Sequence, residues 1–405
     1  MFDRVAILTD EVLCLNHRYR HAGCQRCVSA CPAQAIGLRA GLPVLDPQAC
    51  VHCGACLAAC PTGAFSQRVD PEALLVQRSQ AFGRDRLAVA CPLHPDPAAS
   101  RAPVDRVLRH ARCLASLDVD CLLALTHDGQ RDLWLEDSAC AACPIGLAHR
   151  QIVVTAEAAN ALLAGFGQPG RVHCAAAADA EAIAAGRAEE GKRVLRRRRL
   201  PVVQAAPESL ARRELFARLR PPEADLAGQP KARRRLQHRL RAWSPPPDPT
   251  ASVRAAAVPF ADVRVDPARC TACGLCAALC PTAALCLRFH GLQREEKPKG
   301  GERWDLVFQP AACIDCGICA AACPEQAVRY GDALPVGHLD GRTTSVAAGT
   351  LALCASCGTP LAAQRPASRG LCYACRQGAG RVSPFQDTAG LLADLRQRMP
   401  PRTSQ

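Results

Sequence analysis

The chain of 405 residues contains 27 cysteines, 49% hydrophobic residues and only 4% aromatic residues, with a net charge of +13. An odd, large number of cysteines in a long chain argues against a small secreted disulfide scaffold, and their grouping as C-x2-C favours metal or cluster sites. The sequence has no run of 18 apolar residues that would span a membrane, and its first ten residues lack the apolar core of a signal peptide. We therefore expect a cytoplasmic protein.

A short repeat, C-P-x-x-A followed by an apolar residue, organises the chain. It begins at four cysteines: Cys31, Cys60, Cys280 and Cys323. Because the repeats fall into two pairs, we predict two cysteine-rich modules, at 1–70 and 255–335. The other predicted segments are an α/β domain at 84–185, a basic flexible linker at 186–250, cysteine knuckles at 350–380 and a tail at 381–405.

Three of the four repeats belong to the full spacing C-x2-C-x2-C-x3-C-P. This spacing coils the backbone so that three thiolates face one point, as an iron–sulfur cube requires, and the fourth thiolate must come from elsewhere. The full motifs are Cys50, Cys53, Cys56 and Cys60; Cys270, Cys273, Cys276 and Cys280; and Cys313, Cys316, Cys319 and Cys323.

These motifs resemble those of bacterial two-cluster ferredoxins over roughly 130 residues of the chain. The resemblance implies an α+β multi-domain fold in which two ferredoxin-like 2[4Fe–4S] modules flank the α/β domain. It also implies that the cysteine before each proline ligates the other cluster of its module. The implied ligand sets are Cys31 with Cys50, Cys53 and Cys56; Cys323 with Cys270, Cys273 and Cys276; and Cys280 with Cys313, Cys316 and Cys319.

The first repeat departs from this pattern, because His21 stands where the motif requires its first cysteine. The nearest upstream thiol is Cys14, and an insertion over residues 15–23 would have to loop out to bring it back. Two alternatives remain: His17 or His21 as the ligand, or a three-iron cluster. We expect a fourth [4Fe–4S] cluster on Cys14, Cys24, Cys27 and Cys60.

In the middle domain, short apolar strands alternate with helical patterns, which predicts a parallel sheet. Strands are predicted at 87–90, 107–111, 133–135 and 171–173. A cysteine follows each strand, and the carboxyl ends of parallel strands meet at the edge where ligands bind. We therefore expect a further iron–sulfur cluster on Cys91, Cys113, Cys140 and Cys143. The alternative is that these thiols are small core residues, as we predict for Cys121, whereas Cys174 fits either role.

The order of Cys113, a helix, Gly129, a strand and the pair Cys140 and Cys143 resembles the small delta subunit of methyl-viologen-reducing hydrogenases. That resemblance covers about 90 residues and rests on layout. It implies an iron–sulfur cluster that passes electrons to a flavin-containing partner.

The basic charge is concentrated between Arg187 and Arg241, which contain 17 basic and six acidic residues. This segment is either a solvated linker or a docking site for an acidic partner. Leu236, Leu240 and Trp243 would form one apolar helix face within it. Nucleic-acid binding is not expected, because aromatic residues do not interleave with the basic ones.

Two features follow in the C-terminal part of the chain. Cys286 lies in an apolar strand-like run after Cys280 and is predicted to be a buried core thiol. Two C-x2-C knuckles then suit a zinc ribbon, with a rubredoxin-like iron site as the alternative. The zinc ligands would be Cys354, Cys357, Cys372 and Cys375.

The sequence therefore predicts an electron-transfer subunit that relays single electrons to redox protein subunits of a dehydrogenase or hydrogenase-type complex. The alternatives are a reductase with its own site in the middle domain, and a cluster-dependent scaffold or regulator. No P-loop, catalytic triad or flavin motif is present.

Overall fold

The computed structural model describes residues 6–99, 102–176, 199–205, 230–291, 300–363 and 370–377. The predicted tail at 381–405 lies outside these ranges, as does most of the predicted linker. Within them, two cysteine-rich modules pack around a five-stranded parallel sheet. None of the helices in these ranges is both long and apolar enough to cross a membrane.

The N-terminal module is built from short elements around its cysteine loops. Strands β1 and β4 pair antiparallel, and β2 and β3 form a hairpin whose turn residues Ala40 and Gly41 both have positive φ. Its elements are β1 (Ile7–Thr9), α1 (Leu15–Arg18), α2 (Arg26–Ala30), β2 (Ile36–Arg39), β3 (Leu42–Leu45), α3 (Ala55–Ala59) and β4 (Phe65–Gln67).

The middle domain carries a parallel sheet in the order β8-β7-β5-β6-β9, as the strand pattern predicts. Its elements are α4 (Pro71–Gln80), β5 (Leu87–Ala90), β6 (Arg106–Arg109), α5 (Val119–Leu125), β7 (Leu133–Leu135), α6 (His149–Gly165), β8 (Val172–Cys174), β9 (Val202–Gln204) and α7 (Lys231–Trp243).

Both faces of this sheet are covered. Leu87 and Val89 of β5 face the main core formed with the helices, whereas Ala88 and Ala90 face a second, smaller cluster with Trp134. All four residues of β5 are buried, which is typical of strands in a parallel sheet covered on both sides.

The two described parts of the segment predicted as a flexible linker at 186–250, residues 199–205 and 230–250, contain a strand and a helix that pack on the middle domain. Strand β9 is an edge strand of the sheet, paired with β6. Leu236 and Leu240 of α7 are buried in the main core, and Trp243 packs edge-to-face on Phe166. The helix docks because it is amphipathic, so its apolar stripe is removed from water.

Part of the basic charge of the predicted linker is paired within the protein. Arg235 and Arg239 of α7 contact the buried carboxylate of Asp120 on α5, each at 3.0 Å from Nε. These two arginines bind the middle domain, which neither sequence interpretation of the basic segment anticipated.

The C-terminal module repeats the short antiparallel pairs of the first. Strands β11 and β14 pair, β10 and β15 pair, and a second sheet has the order β12-β13-β16-β17. Its elements are β10 (Ser252–Arg254), β11 (Asp262–Val265), α8 (Leu275–Ala278), β12 (Leu285–Phe289), β13 (Arg303–Phe308), α9 (Ile318–Ala321), β14 (Val328–Gly331), β15 (Ala333–Pro335), β16 (Thr344–Leu353), β17 (Pro360–Ala362) and α10 (Tyr373–Arg376).

The prediction that Cys286 is a buried core thiol is wrong, because this residue is exposed. Successive residues of a strand point to opposite faces. On β12, Leu285 is buried, whereas Cys286 and Arg288 lie on the solvent side. The apolar character of the run did not reveal which face Cys286 would occupy.

Candidate iron–sulfur and metal sites

The C-P-x-x-A repeat positions a backbone donor on its own cysteine. The amide of Ala35 donates to Cys31 Sγ at 3.2 Å, and Ala64 donates to Cys60 Sγ at 3.3 Å. The corresponding amide of Ala327 donates to Cys323 Sγ, also at 3.3 Å. In all four repeats the residue before the alanine has positive φ: Gln34, Gly63, Ala283 and Gln326. Such N–H to sulfur bonds are one means by which a protein sets a cluster's potential.

The three full motifs share a second local feature. In each, the residue before the second cysteine and the glycine after it both have positive φ, and this coils the loop around one point. The glycines are Gly54, Gly274 and Gly317.

Site 1 lies at the carboxyl edge of the parallel sheet. Four cysteines that follow β5, β6 and β7 line one small cavity with the apolar side chains of Leu114, Ile145 and Ile152. They are the four predicted ones, Cys91, Cys113, Cys140 and Cys143. Cys121 is buried in α5 and does not line this cavity. Cys174 does not line it either, although it lies close enough to Cys140 to affect the pKa of that thiol.

Site 2 is formed in the N-terminal module by the first full motif and the crossover cysteine Cys31. Burial raises the pKa of the Cys56 thiol, and the neighbouring thiols raise it further. The four cysteines that the structure groups here are Cys31, Cys50, Cys53 and Cys56.

Site 3 includes Cys14. This residue is buried and lines one cavity with the other predicted cysteines, Cys24, Cys27 and Cys60. His17 and His21 are exposed and do not line it. The geometry therefore favours Cys14 over either histidine as the fourth candidate ligand.

Asn16 holds together the loop that brings Cys14 to site 3. The sequence alone did not predict this role. Its side-chain amide donates to the carbonyls of Cys24 at 2.9 Å and Gly41 at 2.7 Å, and its oxygen accepts from the Cys24 amide at 2.8 Å. In the sequence, the only indication of this role was an asparagine inside the insertion. Its hydrogen-bond partners could not be identified without the fold.

Sites 4 and 5 lie in the C-terminal module, and each groups four cysteines around a cavity. Site 4 consists of Cys280, Cys313, Cys316 and Cys319. Site 5 consists of Cys270, Cys273, Cys276 and Cys323. Both sets agree with the crossover pattern that the ferredoxin resemblance implies.

Each of the five sites contacts the next in the order 1 to 5, and we call this sequence of contacts a row. Between sites 1 and 2, Cys113 and Cys53 belong to one buried core, and Gly54 lies against Ser116. A Cβ atom on Gly54 would lie 2.7 Å from the Ser116 Cβ, so only glycine permits this close approach. Site 1 of the middle domain therefore adjoins site 2 of the N-terminal module.

Within each module the apolar residue that follows the repeat alanine packs between the two sites. Ile36 and Phe65 are buried with cysteines of sites 2 and 3. Leu285 and Val328 are buried with cysteines of sites 4 and 5. The repeat thus supplies both the crossover cysteine and an apolar side chain that packs between the two sites.

Sites 3 and 4 meet across the interface between the two modules. Leu15 packs in a buried cluster with Ile314 and Ile318, and Cys24 and Cys316 border this cluster. Arg18 donates to the carbonyls of residues 278–280, at the end of α8, over 3.0 to 3.2 Å. Arg26 forms an ion pair with Asp315 at 3.5 Å. The insertion of the first motif therefore contributes Leu15 and Arg18 to the interface between the modules.

Burial raises the pKa of thiols at all five sites. The pKa rises to about 12 for Cys113 and Cys140 in site 1 and for Cys313 in site 4, and to about 11 for Cys27 in site 3. Neutral thiols are the stable form at pH 7 without a cation, so metal ligation must displace their protons. These sites fit a positively charged iron core, which would offset the cost of burying thiolates.

The C-terminal knuckles form a tighter group than the other cysteines. Their four sulfurs lie within 4.8 Å of one another, and Cys357 and Cys372 are separated by 3.6 Å. Four thiolates at 2.3 Å from a single zinc ion would be about 3.8 Å apart. Among the described residues no other cysteines are grouped this closely. The geometry thus fits one ion here: Cys354, Cys357, Cys372 and Cys375.

Backbone amides favour a thiolate at Cys354. Burial alone would raise the pKa of Cys354, but N–H groups of Cys372, Cys357 and Ser356 outweigh it and lower the pKa to about 6. The Cys372 amide donates to Cys354 Sγ at 3.3 Å.

Comparison with protein-family models finds two matches, each described as a 4Fe-4S dicluster domain, at residues 22–64 and 262–324. Neither match includes Cys14, the middle domain or the cysteines at 354–375. No curated protein and no solved structure is significantly similar to the chain. The N-terminal and C-terminal modules are thus 4Fe-4S dicluster domains, which indicates iron–sulfur electron transfer.

Proposed function

We propose that the chain relays single electrons along the row of sites 1 to 5. The observation that supports this most directly is that each site adjoins the next through buried contacts, with site 1 at one end and site 5 at the other. Iron–sulfur clusters held there would accept and release one electron at a time. The chain contributes the thiolates, the apolar partitions and the N–H donors that set the potentials.

The two ends of the row differ in what surrounds them. At site 5 the segment that carries the four C-terminal cysteines is attached directly, because the Ala362 amide donates to the Thr271 carbonyl at 3.0 Å and Arg376 contacts Glu325. At site 1, Cys140 and Cys143 are partly exposed, and Leu147, four residues after Cys143, is exposed. A redox partner of the dehydrogenase or hydrogenase type would exchange electrons at site 1, in keeping with the hydrogenase-delta resemblance.

Metal content and magnetic resonance test this proposal. The full-length protein, reconstituted anaerobically, should hold about 16 irons in sites 2 to 5 and about four more in site 1. After full reduction, its electron paramagnetic resonance spectrum should show interaction between neighbouring clusters. Fewer than about eight irons would contradict the cluster assignments, and a full complement of magnetically isolated clusters would contradict the row.

The four C-terminal cysteines are expected to bind zinc independently of the iron–sulfur sites. Cys354→Ser should remove one zinc and leave the iron content unchanged, because the C-terminal group holds a single ion outside the row. Cys286→Ser is the matched control, since this exposed thiol belongs to no site, and it should change neither metal. Loss of one iron instead of zinc from Cys354→Ser would identify a rubredoxin-like centre.

A further inference from the structure

A buried arginine lies at the junction of sites 1 and 2. Arg112 immediately precedes Cys113 of site 1 and is 1% exposed. Its guanidinium also reaches the loop of site 2, since a Cβ atom on Gly54 would lie 3.1 Å from Arg112 Nη1. Gly54 stands between Cys53 and Cys56, so Arg112 contacts the segments that carry both sets of thiols.

The charge of Arg112 has no hydrogen-bonded partner among the described residues at either terminal nitrogen. An unpaired buried charge is strongly destabilising, so such groups are normally paired. Glu72 is an acidic group on which the charge of Arg112 has an electrostatic effect. Its pKa would be raised by burial, but His110, Ser116 and Arg112 outweigh this and hold it at about 2. Glu72 nevertheless forms no ion pair with Arg112 within 4.0 Å among the contacts of the described residues.

Arg131 is a second buried arginine of the same domain, and its hydrogen bonds can be compared with those of Arg112. It is 4% exposed, and all three of its guanidinium nitrogens donate to carbonyls, those of Leu125, Ser79 and Gly83. Burial of an arginine in this domain is therefore compatible with a hydrogen bond at every guanidinium nitrogen. The terminal nitrogens of Arg112 lack such carbonyl acceptors among the described residues, which indicates that the partner of its charge is not a backbone carbonyl.

We propose that Arg112 is a positioning residue for sites 1 and 2, which balances their negative charge and sets their potentials. This inference depends on the proposed relay. A cluster held by four thiolates is negatively charged overall and gains a further negative charge on reduction. A guanidinium between two such sites stabilises their reduced forms, and it can donate hydrogen bonds to their sulfurs. Arg112 would thus favour the reduced state of the clusters at sites 1 and 2 over that of the clusters further along the row.

The test is a redox titration of the full-length, reconstituted protein, monitored by electron paramagnetic resonance. Arg112→Gln should lower the ratio of reduced to oxidised cluster about tenfold at a fixed potential for one or two clusters, equivalent to about 59 mV for a one-electron couple. The clusters of sites 3 to 5 should titrate as in the wild type. Arg112→Lys, which keeps the charge, should abolish most of the shift and titrate close to the wild type.

Arg131→Gln is the matched control, since it removes a buried arginine from the same domain. It should lower the melting temperature and leave all titrations unchanged. Unshifted titrations in Arg112→Gln at full iron content would overturn this inference while leaving the relay intact. Missing iron at sites 1 and 2 in the wild type would instead contradict the relay itself.

Glu72→Gln is the second test variant, to be used if Arg112→Gln does not fold or binds less iron than the wild type. It retains Arg112 and removes the carboxylate that partly offsets its charge. The ratio of reduced to oxidised cluster at sites 1 and 2 should then rise at a fixed potential. An unchanged ratio in this variant would also overturn the inference.

Discussion

The double substitution Cys140→Ser with Cys143→Ser should cost the full-length protein about four irons and the matching sulfide, because a cluster rarely survives the loss of two of its four thiolates. Both cysteines line the cavity of site 1 with Cys91 and Cys113. Iron and sulfide analysis of the reconstituted protein measures the loss. The remaining clusters should keep their magnetic interactions, since site 1 lies at one end of the row.

Cys121→Ser is the matched control for that substitution. Cys121 is 3% exposed in α5 and lies outside site 1, so its replacement should retain all irons. It should lower the free energy of unfolding by about 1–3 kcal/mol, because a hydroxyl replaces a buried thiol. If the double variant keeps its full iron content, Cys91, Cys113, Cys140 and Cys143 are core residues after all. The hydrogenase-delta resemblance would then lose its main support.

Cys14→Ser should interrupt the row at its centre. Site 3 adjoins site 2 on one side and site 4 on the other. Loss of its fourth thiolate should remove about four irons. The electron paramagnetic resonance spectrum should then show magnetic interaction within two separate pairs of clusters. One pair is at sites 1 and 2, and the other is at sites 4 and 5. Iron analysis together with electron paramagnetic resonance of the reduced protein distinguishes this from loss at an end of the row.

The histidines provide the control for Cys14. His17→Ala and His21→Ala should retain all irons, because both side chains are exposed and neither lines the cavity of site 3. Iron loss from either histidine variant, with full retention in Cys14→Ser, would show that a histidine is the ligand. Three irons at site 3 of the wild type, with no iron lost from Cys14→Ser, would instead indicate a three-iron cluster.

The spacing of the cysteines determined the local part of each site. Three cysteines within seven residues can reach one point through the intervening backbone alone, so the loops of sites 2, 4 and 5 depend little on distant packing. The alanine amide likewise donates to the cysteine four residues before it in three of the repeats, as Ala35 does to Cys31. The strand pattern also predicted the cysteines of site 1, because parallel strands end at one edge.

Only the tertiary structure decided what depends on residues far apart in the chain. Cys14 joins site 3 through the hydrogen bonds of Asn16, and the two modules meet through Arg18 and Leu15, about 260 or more positions from their partners. The order of the row follows from these contacts, which no local spacing encodes. The exposure of Cys286 and the docking of α7 likewise depended on which face the core would cover. Hydrophobic burial has no direction, so the same apolar pattern permits several arrangements until the whole chain packs.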